Sequence, residues 1–212
     1  MKKILTFALI LSLLALPLSL ASCSNKDKNS FDTKNCYKTA LPTADGETDF
    51  VQIQICDDAY IVVELYPDVA PLTVANFKKL VKEDFYDGII FHRVISGFMI
   101  QGGDPLGTGM GGSDETIKGE FLSNGVKNDI SHERGVISMA RKGNDNNSAS
   151  SQFFIMHKDY PSLDGDYAAF GRVVAGMETV DAIAAVSTNT NDKPLVNVTI
   201  TSMEFVEYTP SK

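Results

Sequence analysis

The stretch Phe91-His92-Arg93-Val94-Ile95-Ser96-Gly97-Phe98-Met99-Ile100-Gln101-Gly102-Gly103-Asp104 gathers side chains that could do chemistry. Its first residues alternate as a strand does, with Phe91 and Arg93 on one face and His92 and Val94 on the other. Gly97 permits a sharp bend, and a second short strand carries Met99 and Gln101 on a shared face. A guanidinium, a thioether and a carboxamide thus come together on extended backbone. The guanidinium is a permanently charged donor, and no convincing nucleophile or titrating base accompanies it. The set suits chemistry done by hydrogen bonding and positioning.

Other chemistries are disfavoured. His92, His132 and His157 lack the spacing of a metal site and read as structural or surface residues. Ser148-Ala149-Ser150-Ser151 has no strained elbow and no evident partner histidine, so a hydrolase is not expected. Gly107-Thr108-Gly109-Met110-Gly111-Gly112 satisfies GxGxxG, but no helix pattern follows it, so it reads as a flexible surface loop. No metal and no cofactor is expected.

The elements that must position these residues follow from periodicity. Val51, Ile53 and Ile55 alternate with polar residues, and the run 60–66 follows as the second half of a hairpin across Asp57-Asp58-Ala59. Pro71 opens a helix with Val74, Phe77, Leu80 and Val81 on one face. Short strands are expected over 134–140, 152–156 and 168–174, then a helix through Met177, Val180, Ile183 and Ala184, then a long strand over 196–206. Helices do not alternate with strands, which disfavours parallel layering and points to an antiparallel sheet closed into a barrel. An eight-stranded barrel is filled by its own side chains, so a ligand would sit on the outer wall or rim.

The ends carry a different signal. Lys2 and Lys3 precede a nearly continuous apolar run from Ile4 to Leu20, which ends in Leu20-Ala21-Ser22-Cys23. This resembles a bacterial lipobox and implies a signal peptide over 1–22, with Cys23 lipidated as the first mature residue. Residues 23–48 read as a flexible polar tether, 49–208 as the folded domain and 209–212 as a tail. The expected place is extracytoplasmic, anchored to a bacterial membrane through lipid. The 19 Lys and Arg against 27 Asp and Glu give −8; without Lys2 and Lys3, 17 against 27 leaves −10. So acidic a chain is a poor partner for nucleic acid. Cys36 and Cys56 remain, as a disulfide or as two thiols.

The residues 91–104 resemble the signature of cyclophilin-type peptidyl-prolyl isomerases. So do Ser138-Met139-Ala140, Ser151-Gln152-Phe153-Phe154-Ile155, Leu163-Asp164-Gly165 and Phe170-Gly171-Arg172-Val173, in the family's order. The resemblance implies an all-β fold: a closed eight-stranded antiparallel barrel capped by two α-helices, with a proline pocket on its outer face. It implies Arg93 as the catalytic arginine and Gln101 as a carboxamide that contacts substrate backbone. Phe98, Met99, Phe154 and Leu163 would wall the pocket, with Tyr167 at its rim. Ala140 and the backbone of Arg141 would meet the residue before proline, and Gln152 would flank that groove.

The chemistry fits those residue types. Resonance holds an Xaa-Pro bond behind a barrier of roughly 18–20 kcal/mol. A fixed donor at the prolyl nitrogen would favour the twisted state over either planar one. Three positions depart from the family pattern. Ser96 stands where proline is common, Ser162 where many eukaryotic members carry a tryptophan that helps bind cyclosporin, and Tyr167 where those members have histidine. The resemblance therefore implies isomerase activity more firmly than drug affinity. The expected function is isomerisation of Xaa-Pro bonds in exported or envelope proteins, assisting their folding, by a monomer. Two alternatives come from other classes: a proline-peptide binding or chaperone module, and a solute-binding lipoprotein.

Overall fold

The structure, a computed structural model, describes residues 41–56 and 59–209. The expected signal segment, Cys23, most of the expected tether, Cys36, Asp57 and Asp58 lie outside these residues, so the lipidation and disulfide questions do too. The alternating run at the start forms β1 (Phe50–Cys56), paired antiparallel with β2 (Ala59–Leu65). Helix α1 (Pro71–Lys82) buries Val74, Phe77, Leu80 and Val81, the face that the spacing predicts. Its first turn has no side-chain cap of its own. Buried Glu120 supplies one from a distant loop, accepting from the backbone N–H groups of Leu72 (3.0 Å) and Thr73 (2.8 Å). A carboxylate there meets the free N–H groups and the positive end of the helix dipole.

The remaining elements are β3 (Arg93–Ile95), β4 (Met99–Gly102), β5 (Val136–Met139), β6 (Phe153–Met156), β7 (Ala169–Ala175), α2 (Met177–Ala184) and β8 (Ser202–Phe205). They make one antiparallel sheet in the order β3-β4-β6-β5-β7-β2-β1-β8. The expected closed barrel is corrected here, because the ladder opens between β3 and β8. On either side of that seam the segments 88–91 and 198–200 lie outside the regular strands. It is joined by an isolated bridge between Ile90 and Thr199 and by backbone bonds linking 88–91 with 198–200. The expected strand over 196–206 is broken for the same reason: its first half pairs with 88–91, and from Thr201 onward it pairs with β1.

The alternation expected at 91–94 also fails. Phe91 and Val94 enter the core while His92 and Arg93 both line the outer cavity, because regular pairing begins only at Arg93. Elsewhere period two holds and divides the sheet into two faces. Ile100, Ile137, Met139, Phe153 and Ile155 point into the core. There Phe153 meets Phe77, Tyr86 and Phe91 edge-on at 5.6–6.2 Å. Met99, Val136, Phe154 and Met156 point outward and form a second apolar cluster with Phe98, Ala140, Leu163 and Tyr167. A strand as apolar as β6 is needed because both of its faces are covered.

Candidate active site

The β3–β4 register sets Arg93 opposite Gln101. The guanidinium Nη1 lies 3.5 Å from Gln101 Oε1, and Gln101 Nε2 donates to Gln152 Oε1 at 2.8 Å. Gln152 Nε2 in turn donates to the carbonyls of Gly111 (2.7 Å) and Gly109 (3.1 Å). On its other side Arg93 Nε is 3.6 Å from Asp192 Oδ2, both side chains being half-exposed. Asp192 is held there by a left-handed backbone, φ 61°, and its carbonyl accepts the Val94 N–H.

Beside this polar row lies a cavity of about 310 Å³. Buried Met99 and Phe154 line it, as do Phe98, Ala140, Arg141, Leu163 and Tyr167, with Arg93 and Gln101 at its polar side. Nine of the ten residues expected to act on substrate therefore converge on one cavity. The tenth, Gln152, lines a neighbouring hollow with Gln101, Ala140 and Arg141, in keeping with a flanking place. The Arg141 side chain turns away: its guanidinium lies over the rings of Tyr167 (4.8 Å) and Phe121 (5.2 Å) and donates to the Asp166 carbonyl. That stacking pins the loop, so the part of Arg141 presented to a ligand is its backbone.

The glycine-rich loop is not the flexible loop expected. Asp104, 1% exposed, accepts backbone N–H groups from Leu106 (2.8 Å), Thr108 (2.9 Å) and Gly109. Burial alone would raise its carboxyl; the backbone N–H groups of the loop outweigh it and hold the carboxyl below its ordinary value. The loop wraps that charge and delivers the Gly109 and Gly111 carbonyls to Gln152.

Each histidine now has a place. His92 is buried against the cavity with neither ring nitrogen partnered among the described residues, and burial pushes its pKa down. His132 is buried behind Phe154, stacked on it at 6.0 Å, with Asp164 at 3.0 Å from Nδ1 and Ser138 Oγ at 3.1 Å from Nε2. Ser138, His132 and Asp164 thus copy a hydrolase triad in outline, but Ser138 is 0% exposed and no substrate reaches it. Its hydroxyl and the Asp164 carboxylate serve to fix a ring that backs the cavity wall.

Sequence reasoning missed Asp192, the loop-organising role of Asp104, and Tyr160. Tyr160 packs on Phe98 with ring centroids 4.5 Å apart and the planes tilted by 48°. The short 3₁₀ turn Pro161–Leu163, which carries Ser162, follows directly. The aromatic type of Tyr160 was the signal in the sequence.

A curled eight-stranded antiparallel sheet, with an outer-face apolar cavity edged by an arginine and two amides, has the architecture and site of a cyclophilin. Residues 50–205 match the profile of the cyclophilin type peptidyl-prolyl cis-trans isomerase/CLD family. Peptidyl-prolyl cis-trans isomerase B of Bacillus subtilis is 52% identical over 122 residues, 58% of this chain and 81% of that protein. A peptidyl-prolyl cis-trans isomerase of Schizosaccharomyces pombe is 46% identical over 136 residues, 64% of this chain and 85% of that protein. A crystal structure of a cyclophilin type isomerase from Cryptosporidium parvum, obtained in the presence of the dipeptide Ala-Pro, aligns with TM-score 0.69 and 31% identity, covering 75% of this chain and 99% of that one. The chain belongs to the cyclophilin-type peptidyl-prolyl cis-trans isomerase family.

Proposed function

We propose that the cavity walled by Phe98, Met99, Phe154 and Leu163 takes the proline ring of a polypeptide and that Arg93 is the catalytic donor. The observation that carries this reading is the juxtaposition of the Arg93 guanidinium, on β3, with an apolar slot built from Met99 on β4, Phe154 on β6, and Phe98 and Leu163 from the adjoining turns. The slot grips the pyrrolidine while the preceding carbonyl swings. As the C–N bond twists, resonance is lost and the prolyl nitrogen regains a lone pair. A guanidinium N–H aimed at that atom bonds the twisted state and neither planar state, which lowers the barrier without covalent chemistry. Gln101, buttressed by Gln152, holds the substrate backbone, and Ala140 with the Arg141 backbone meets the residue before proline. Catalysed cis–trans exchange in an Ala-Pro peptide, with amide shifts centred on Met99, Gln101 and Phe154, tests the site; shifts centred elsewhere would move it.

The clients are exported or envelope proteins whose folding is assisted from a lipid anchor on Cys23. Supporting this are Lys2, Lys3, the apolar run and the lipobox-like end of it. The layout is 1–22 signal peptide, 23–48 tether, 49–208 domain and 209–212 tail. The described end of the tether runs along β8, with Thr43 bridged to Val206, whereas the cavity lies on the β3–β4–β6–β5 part of the sheet. The working form is a monomer. Ser162 offers no indole, so cyclosporin affinity is expected to be weak. Cys23→Ser should release the protein from membranes; a variant that still sediments with them contradicts the anchor.

A further inference from the structure

We propose that His157 is a positioning residue for isomerisation: its ring anchors the β3–β4 turn and so sets the Phe98 wall of the proline cavity. The turn has few other ties. Phe98 donates its N–H to the Ile95 carbonyl at 3.0 Å, and Gly97 occupies the left-handed region with φ 79°. The Gly97 N–H is bonded to His157 Nδ1 at 2.9 Å, and the His157 backbone N–H donates to the Phe98 carbonyl at 2.9 Å. Residue 157 thus holds both sides of the Gly97–Phe98 peptide.

The ring is itself held. A nitrogen that accepts from an N–H carries no proton, so His157 is the Nε2–H tautomer and donates to Asp181 Oδ1 on α2, 3.2 Å away. Arg134 grips both oxygens of Asp181 at 2.7 and 2.8 Å and the His157 carbonyl at 2.9 Å. That guanidinium, against a smaller opposing effect of burial, holds the Asp181 carboxyl below its ordinary value. The chain Arg134–Asp181–His157–Gly97 therefore ties α2 to the turn that ends in Phe98, a cavity residue.

Asn at 157 keeps an acceptor oxygen near the Nδ1 position, so it can preserve the bond from the Gly97 N–H.

The inference rests on the Arg93 cavity being the isomerase site, and the test separates the two. His157→Ala and His157→Asn are compared with wild type for Xaa-Pro peptide isomerisation, for exchange of the Gly97 amide hydrogen, and for unfolding. His157→Ala should lose about tenfold in kcat/KM, mostly through KM, with faster Gly97 exchange. His157→Asn should stay within about twofold of wild type and keep the slow Gly97 exchange. Wild-type kinetics in His157→Ala, or equal losses in the Ala and Asn variants, overturn the inference. A loss in His157→Ala with none in Arg93→Ala would instead overturn the Arg93 assignment and leave the anchor standing.

Discussion

Arg93 and Gln101 face each other across β3 and β4, and the amide that touches the guanidinium is itself held by Gln152. The three side chains form one row, ending on the carbonyls of the Asp104-wrapped loop. Removing the last member should loosen the first. Gln152→Ala deletes a hydrogen bond worth about 1–1.5 kcal/mol, so kcat/KM for an Xaa-Pro peptide should fall about tenfold. The unfolding midpoint should move little, since Gln152 is not in the core. An unchanged rate would show that Gln101 needs no buttress.

Tyr160 packs on Phe98 at 4.5 Å and is 43% exposed. An aromatic pair contributes about 0.5–1.5 kcal/mol beyond area burial. Tyr160→Ala should therefore raise KM about two- to tenfold, with kcat nearly unchanged, while Tyr160→Phe keeps the pair and should match wild type. Equal KM in both variants and wild type would mean that Phe98 stands without Tyr160.

A single methyl at Gly103 tests the backbone contact between the end of β4 and the segment before β6. A Cβ there would lie 2.3 Å from the Ser151 carbonyl oxygen, on a backbone with φ 83°. Gly103→Ala should cost about 3 kcal/mol or more and lower the thermal midpoint by about 6–12 °C. Gly143 has nothing within 4 Å of its would-be Cβ, and Gly143→Ala should leave the midpoint in place. Similar midpoints for the two variants would contradict the close approach.

Stability should depend on pH through His92 and His132. Burial lowers both pKa values, outweighing Asp104 near His92 and Asp164 beside His132. Below the ordinary value of about 6.5 the unfolded chain binds protons that the folded protein refuses. This contribution is complete above about pH 6.5 and is lost as pH falls toward the lowered values. The depressed carboxyls of Asp104, Asp164 and Asp181 add a further loss near and below about pH 4. Denaturant midpoints measured from pH 8 to pH 4 should fall with acidification, and His132→Asn should flatten the first part. A midpoint that rises on acidification would reverse the sign.

Much of the site was legible because its residues sit in local patterns. Val74, Phe77, Leu80 and Val81 gave the buried face of α1, and the run 91–104 carried Arg93, Phe98, Met99 and Gln101 in one block. What stayed hidden depends on contacts between distant segments. Glu120 capping α1, Asp192 reaching Arg93, and Tyr160 packing on Phe98 have no local periodicity to announce them. Closure failed as an expectation because a strand count says nothing about register at the seam, where 88–91 and 198–200 leave the ladder. The Phe91–Arg93 pairing failed because period two holds only where a ladder exists.

The central claim is that a guanidinium N–H stabilises the twisted prolyl bond. It is tested by comparing Arg93→Ala with wild type in an isomerisation assay on a short Xaa-Pro peptide, with peptide affinity and unfolding measured alongside. Loss of a donor that acts in the transition state should cost about 100-fold or more in kcat/KM. Peptide binding should weaken far less and the unfolding midpoint should stay close to wild type, since Arg93 is half-exposed and its ion pair is with the half-exposed Asp192. A variant that isomerises the peptide as fast as wild type would contradict the account.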